Sequence, residues 1–111
     1  MILKLNQLRN TVERLNKMIP RFVICSTAAG TTAKTANSEG FSLVKGSRVT
    51  VKFTNTNTAA NPTLNINSTG AKAIYYRGYA IPAEALQENS IIDFVYNGAQ
   101  WEVIGTLAWT E

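Results

Sequence analysis

The first twenty residues carry apolar side chains at alternating spacings of three and four. The a and d positions of a heptad repeat are thereby occupied by Leu5, Leu8, Val12, Leu15 and Ile19. This pattern predicts an amphipathic, coiled-coil helix that ends at Pro20, because proline disfavours the helical conformation of the residue before it. The helix must bury its stripe on the rest of the chain or on copies of itself, and the narrow seam favours self-association.

From Arg21 onwards the pattern changes to a period of two, which is typical of β-strands. The clearest example lies at residues 48–54, where Val49, Val51 and Phe53 alternate with polar residues. The other main strands are predicted over residues 21–27, 63–67, 71–77, 91–96 and 101–107. Three smaller elements are a short edge strand within residues 27–35, a return strand over residues 79–81 and one helical turn at residues 82–86.

Short strands separated by frequent polar turns predict a small antiparallel β-sandwich or barrel. We therefore expect a mostly β fold preceded by one helix. The chain divides into a helical stem over residues 1–20, which serves oligomerisation or attachment, and a β-domain over residues 21–111.

The best-defined connection is a hairpin around the Asn97-Gly98 turn. Any even number of loop residues places one set of side chains on the same face, namely Ile92, Phe94, Tyr96, Trp101 and Val103. A loop of two residues would set Asp93 opposite Glu102, and like charges directly opposite each other destabilise a sheet. A four-residue loop avoids that pair, and we favour it.

The formal net charge of +4 is confined to the beginning of the chain. Residues 1–21 contain five basic residues against one acidic residue, whereas residues 22–111 contain six of each. A basic face of the stem, the candidate attachment face, is formed by Lys4, Arg9, Arg14 and Lys17. It either docks on an acidic partner or is simply solvated. The balanced charge of the larger part argues against nucleic-acid binding, which needs a clustered basic field.

The same charges limit what the stem can hold together. In a parallel homomer, Lys4 at a g position would approach Arg9 at an e position of the neighbouring copy, and no acidic residue at an e or g position offsets this pair. So short a stem with like-charged flanks would not hold an oligomer alone. We therefore expect the β-domain to contribute to the interface, or an acidic partner to cover the stem.

Composition excludes most familiar catalytic machinery. The chain has no histidine and one cysteine, so it holds no catalytic triad, no Cys-His pair and no histidine-ligated or cysteine-only metal site. The carboxylate pairs Glu84/Glu88 and Asp93/Glu102 are weak candidates for glycoside hydrolysis. We predict no enzymatic activity, no metal and no cofactor. Charged residues interrupt the first apolar positions, so neither a secretory signal nor a membrane-spanning segment is predicted.

A group of aromatic residues in the second half could stack on sugars. Its candidate glycan or receptor contacts are Tyr75, Tyr76, Tyr79 and Trp101. Aromatic rings of this kind serve equally well in a core or between subunits. Because Tyr75 and Tyr76 are consecutive in a predicted strand, they must point to opposite faces of the sheet.

Three segments resemble a β-module of virion-surface proteins, the tail-fibre and head-fibre-like proteins of tailed bacteriophages and of prophages in Gram-positive hosts. The segments are residues 24–34 (ICSTAAGTTAK), residues 46–76 (GSRVTVKFTNTNTAANPTLNINSTGAKAIYY) and residues 94–105 (FVYNGAQWEVIG). Together they cover roughly residues 23–105. The family carries no motif of known chemistry that could be transferred to residues here.

The resemblance implies a non-enzymatic, homotrimeric appendage on the virion, made in the host cytoplasm, whose partners are its own copies and other virion proteins. A stem of about twenty residues is short for a long tail fibre, which favours a head fibre or capsid decoration. The alternative is a tail-tip module that binds host cell-surface polysaccharide. Single-stranded nucleic-acid binding by a small barrel is a third, less favoured hypothesis, and membrane association is not expected.

Overall fold

The computed structural model describes residues 21–107, which form a single small β-domain of eight strands. The strands are β1 (Phe22–Cys25), β2 (Ala33–Ala36), β3 (Arg48–Phe53), β4 (Thr63–Ile66), β5 (Lys72–Tyr76), β6 (Tyr79–Ala80), β7 (Ile91–Tyr96) and β8 (Trp101–Ile104). Each lies within or beside a strand expected from the alternating pattern. The predicted stem helix lies outside the described residues.

The strands follow the order β1-β3-β7-β8-β5-β4-β2, and β6 pairs with β5. The two end strands approach each other where the Thr27 hydroxyl accepts a hydrogen bond of 3.0 Å from the Thr35 backbone N–H. The sheet therefore curls until it is nearly a closed barrel, and the expected sandwich or barrel is confirmed.

The expectation of a purely antiparallel sheet is wrong. Three pairs run parallel, namely β1 with β3, β2 with β4 and β5 with β8. Each of these pairs is joined by a crossing connection rather than by a tight hairpin. The period of two in the sequence reports which face a residue occupies and carries no information on strand direction.

The hairpin of β7 and β8 has the predicted four-residue loop. Tyr96 pairs with Trp101, and Asp93 lies opposite Ile104 instead of Glu102. The Asn97 side-chain oxygen accepts hydrogen bonds from the backbone N–H groups of Ala99 (2.8 Å) and Gln100 (2.9 Å), which fixes the turn.

The predicted helical turn at residues 82–86 is not formed, because Glu84 adopts a left-handed backbone conformation with φ of 68°. This loop is held by Asn57, which is fully buried. The Asn57 side-chain oxygen accepts a hydrogen bond from the Leu86 N–H (2.8 Å), and its amide group donates to the carbonyls of Ala59 (2.9 Å) and Pro82 (3.1 Å). Two distant loops are thus joined by one side chain.

The core fills the inside of the curled sheet. Its largest member is Trp101, which is completely buried and lies among three other rings. Its ring centroid is 6.1 Å from Phe41, 6.4 Å from Phe94 and 5.5 Å from Tyr96. Cys25 is also buried, as expected for a small apolar side chain.

Candidate functional site

Arg21, the residue that follows the predicted stem, is fixed firmly to the β-domain. Its guanidinium donates hydrogen bonds to the Ser38 hydroxyl (3.0 Å) and the Glu39 carbonyl (2.8 Å), and it lies 5.8 Å from the centre of the Phe41 ring. The Arg21 carbonyl in turn accepts a 2.7 Å hydrogen bond from the Thr50 N–H. The beginning of the described β-domain therefore has a defined position on the barrel.

Directly after Arg21, strand β1 turns apolar side chains to both faces. Val23 and Cys25 point into the core, whereas Phe22 and Ile24 are 57% and 56% exposed. In a sheet with one face in solvent, the outward positions are normally polar. Two exposed, bulky apolar residues in one short strand therefore indicate a contact surface.

The same face of the sheet carries polar and apolar side chains, since Phe22 is paired with Thr50 and Thr50 with Asp93, whereas a second apolar residue lies farther along the neighbouring row. Ile24 is paired with Lys52 of β3, and Lys52 is paired with Ile91 of β7, which is 61% exposed. We call the surface formed by Phe22, Ile24, Lys52 and Ile91 the β1 face. This face was not predicted from the sequence, although the consecutive apolar residues at 22–25 were the available indication.

The four aromatic candidates for glycan contact do not form one site. Trp101 is fully buried among core rings, so its assignment as a glycan contact is wrong. Tyr75 and Tyr76 lie at consecutive positions of β5, as predicted, and Tyr76 packs against the core. Tyr79 is 79% exposed and is paired with Tyr76 across the β5–β6 turn.

Tyr76 and Tyr79 instead line a groove of about 600 Å³ on the rim of the barrel. Its walls include Arg77, Pro82 and Leu107. The Arg77 guanidinium lies 5.2 Å from the centre of the Tyr76 ring. An exposed ring, apolar wall residues and a neighbouring cation can together hold a small polar ligand such as a sugar.

Lys34 of β2 is buried and serves the structure of the loop before it. Its ammonium donates hydrogen bonds to the carbonyls of Ala28 (3.0 Å) and Ala29 (3.4 Å). Burial lowers the pKa of Lys34 from its ordinary value, and the neighbouring Cys25 partly opposes that shift. Since both acceptors are backbone carbonyls, we interpret Lys34 as a support for this loop.

One of the two weak carboxylate pairs, Asp93 and Glu102, is engaged in structural hydrogen bonds. Asp93 accepts a hydrogen bond from the Thr50 hydroxyl, and Glu102 accepts one of 2.6 Å from the Asn97 side-chain amide. Within residues 21–107, no three or more Cys, His, Asp or Glu side chains are placed to hold a metal ion. In the same range, no helix has the length and apolar character to cross a membrane.

The predicted oligomerisation residues and basic attachment face of the stem lie outside the described residues.

No protein-family model matches the chain, and no curated protein matches it. The described residues provide two candidate functional surfaces, namely the β1 face and the groove beside Tyr79.

Proposed function

We propose that this protein is a non-enzymatic structural protein of a bacteriophage virion, a homotrimeric surface fibre or knob attached through its N-terminal stem. The observation that carries the proposal is that an exposed apolar strand follows the apolar heptad pattern directly in the chain. The predicted heptad stem is followed, after Pro20 and Arg21, by a strand that exposes Phe22 and Ile24. A chain with two such apolar segments in succession is suited to self-assembly.

The assignment to a virion is supported by the three segments that resemble phage fibre modules. Residues 24–34 span the connection from β1 to β2, residues 46–76 contain β3, β4 and β5, and residues 94–105 contain the second half of β7 and all of β8. The resemblance thus extends across the strands that build the barrel. The proposed location is a head fibre or capsid decoration, with the basic face of the stem on the particle and the β-domain displayed outward.

Disrupting the heptad seam tests the proposal. We expect the full chain to have three times its monomer mass of 12.1 kDa. The double variant Leu8→Asp/Leu15→Asp should have the mass of one chain, because it places charges on the apolar seam. Light scattering coupled to size-exclusion chromatography measures both.

The matched control is Asn6→Asp/Asn10→Asp, which adds the same two negative charges at heptad positions outside the seam. It should remain trimeric. A monomeric full chain, or a Leu8→Asp/Leu15→Asp variant that is still trimeric, would contradict the stem-mediated trimer.

A second candidate function is binding of host cell-surface polysaccharide at a tail tip, and the groove beside Tyr79 favours it. Stacking on an exposed ring contributes on the order of 1 kcal/mol, so Tyr79→Ala should weaken binding of cell-wall polysaccharide about fivefold or more. Tyr75→Ala is the matched control, since Tyr75 lies outside the groove. Binding to a panel of immobilised wall polysaccharides measures both, and equal affinities of the two variants would argue against the groove.

A further inference from the structure

We propose that the β1 face is the surface through which the β-domains of neighbouring copies contact each other in the trimer. This inference rests on the proposed homotrimer. It identifies the part of the trimer interface that lies outside the stem. Its partner is a second copy of this chain. The contact residues are Phe22, Ile24 and Ile91, with Lys52 between the two isoleucines.

The position of the face relative to the seam selects a second copy as the occupant. Phe22 follows Ile19 by three residues, so it falls on the next d position of the heptad series. Three residues of extended chain span at most about 11 Å. If copies associate along the seam, the first residues of their β1 strands must therefore lie close to the same axis.

Arg21 also anchors the beginning of β1 on the barrel. The hydrogen bonds from Arg21 to Ser38 and Glu39, together with the one its carbonyl accepts from Thr50, hold the start of β1 against the barrel. Phe22 and Ile24 point outward from this fixed strand. The β1 face therefore begins at the part of the β-domain that is nearest in the chain to the predicted seam.

The chemistry of the face fits burial against another copy. Phe22, Ile24 and Ile91 supply apolar area, and the long methylene stem of Lys52 can cover apolar surface while its charge stays at the rim. The basic residues Lys4 and Arg9 flank the seam without acidic partners, so the stem requires further interface. Apolar contact at the β1 face is the contribution expected from the β-domain.

Protection of an introduced thiol tests the surface. In the full chain, Ile24→Cys places a thiol on the β1 face, and Tyr79→Cys places one on the far rim as a control. Maleimide modification of the Ile24→Cys thiol should be about tenfold or more slower in the assembled protein than in the same variant carrying Leu8→Asp/Leu15→Asp. The Tyr79→Cys thiol should react equally fast in both, and the native Cys25, which is buried, supplies the background rate.

Light scattering on the same samples separates the two proposals. A trimeric Ile24→Cys chain whose thiol reacts as fast as in the stem-disrupted form overturns the β1 face and leaves the homotrimer standing. A wild-type chain of monomer mass overturns both. If Ile24→Cys itself fails to assemble, Phe22→Cys gives the same measurement from the other end of the face, and its unprotected thiol in a trimer overturns the inference.

Discussion

Replacing Trp101 with alanine is expected to lower the free energy of unfolding by about 3–5 kcal/mol. The side chain is completely buried and contacts the rings of Phe41, Phe94 and Tyr96, so its removal leaves a large cavity and breaks three aromatic contacts. A domain of this size is stable by roughly 5–10 kcal/mol, so the loss would be a large part of the total. Urea unfolding followed by far-ultraviolet circular dichroism measures it.

Trp101→Phe separates the contribution of the ring from that of the indole nitrogen. Among the described residues, Trp101 Nε1 is buried without a hydrogen-bond partner. A phenylalanine keeps most of the ring contacts and removes this unsatisfied N–H, which costs about 1–3 kcal/mol when buried. We therefore expect Trp101→Phe to lose less than half of what Trp101→Ala loses.

Tyr79→Ala is the surface control and should change the free energy of unfolding by no more than about 0.5 kcal/mol. All variants must be compared at one protein concentration, because dissociation of an assembly adds to the measured stability. A loss below about 1 kcal/mol for Trp101→Ala would contradict the central place of this ring in the core.

Many of the strands and one complete hairpin could be predicted from local features of the sequence. The hairpin of β7 and β8 was predictable in detail, because its turn residues, its alternation and the repulsion between Asp93 and Glu102 all depend on neighbours in the chain. Strand direction was not predictable in this way. The parallel pairing of β1 with β3 depends on which strands meet after a crossing connection, and no local pattern records it.

The roles of individual side chains were likewise predictable only where they depend on neighbours in the chain. The sequence predicts that Trp101 shares one face of the hairpin with other apolar residues, and it also makes Trp101 a candidate glycan contact. Only its burial among three core rings decides between the two roles. A lysine in a strand would be expected to point outward. Lys34 is nevertheless buried, because two backbone carbonyls accept hydrogen bonds from its ammonium group. The exposed pair Phe22 and Ile24 could not be told from the buried pair on the same strand without the sheet's curvature.

Asn57 is the clearest case of a residue whose role depends on distant partners. It lies in a segment that the sequence marks only as a polar loop, but it is fully buried. Its side chain joins three points of the chain, Ala59, Pro82 and Leu86. A backbone hydrogen bond of 2.7 Å from the Glu84 N–H to its carbonyl completes the arrangement. We interpret Asn57 as the residue that holds the loop between β6 and β7 on the barrel.

Asn57→Asp should therefore destabilise the protein by about 3 kcal/mol or more at neutral pH. The substitution keeps the oxygen that accepts from Leu86, but it replaces the amide donor with a second oxygen that faces the carbonyls of Ala59 and Pro82. The result is a buried, uncompensated charge beside two acceptors, and such charges are strongly destabilising.

The loss should depend on pH in a defined direction. Burial and the two carbonyl oxygens raise the pKa of the introduced carboxyl above its unfolded value of about 3.9, because the protonated form can donate a hydrogen bond where the charged form cannot. Protons are then bound more tightly in the folded state. The deficit relative to the wild type is smallest below pH of about 4 and grows as the pH rises through the raised pKa.

Urea unfolding of Asn57→Asp and of the wild type, at intervals of about one pH unit between pH 4 and pH 8, measures the difference in their free energies of unfolding. The matched control is Asn89→Asp, which makes the same change of atoms and charge at an exposed position of the loop between β6 and β7. Its stability should follow that of the wild type across the range. A deficit for Asn57→Asp that stays constant with pH would show that the lost amide donor, and not the buried charge, accounts for the effect.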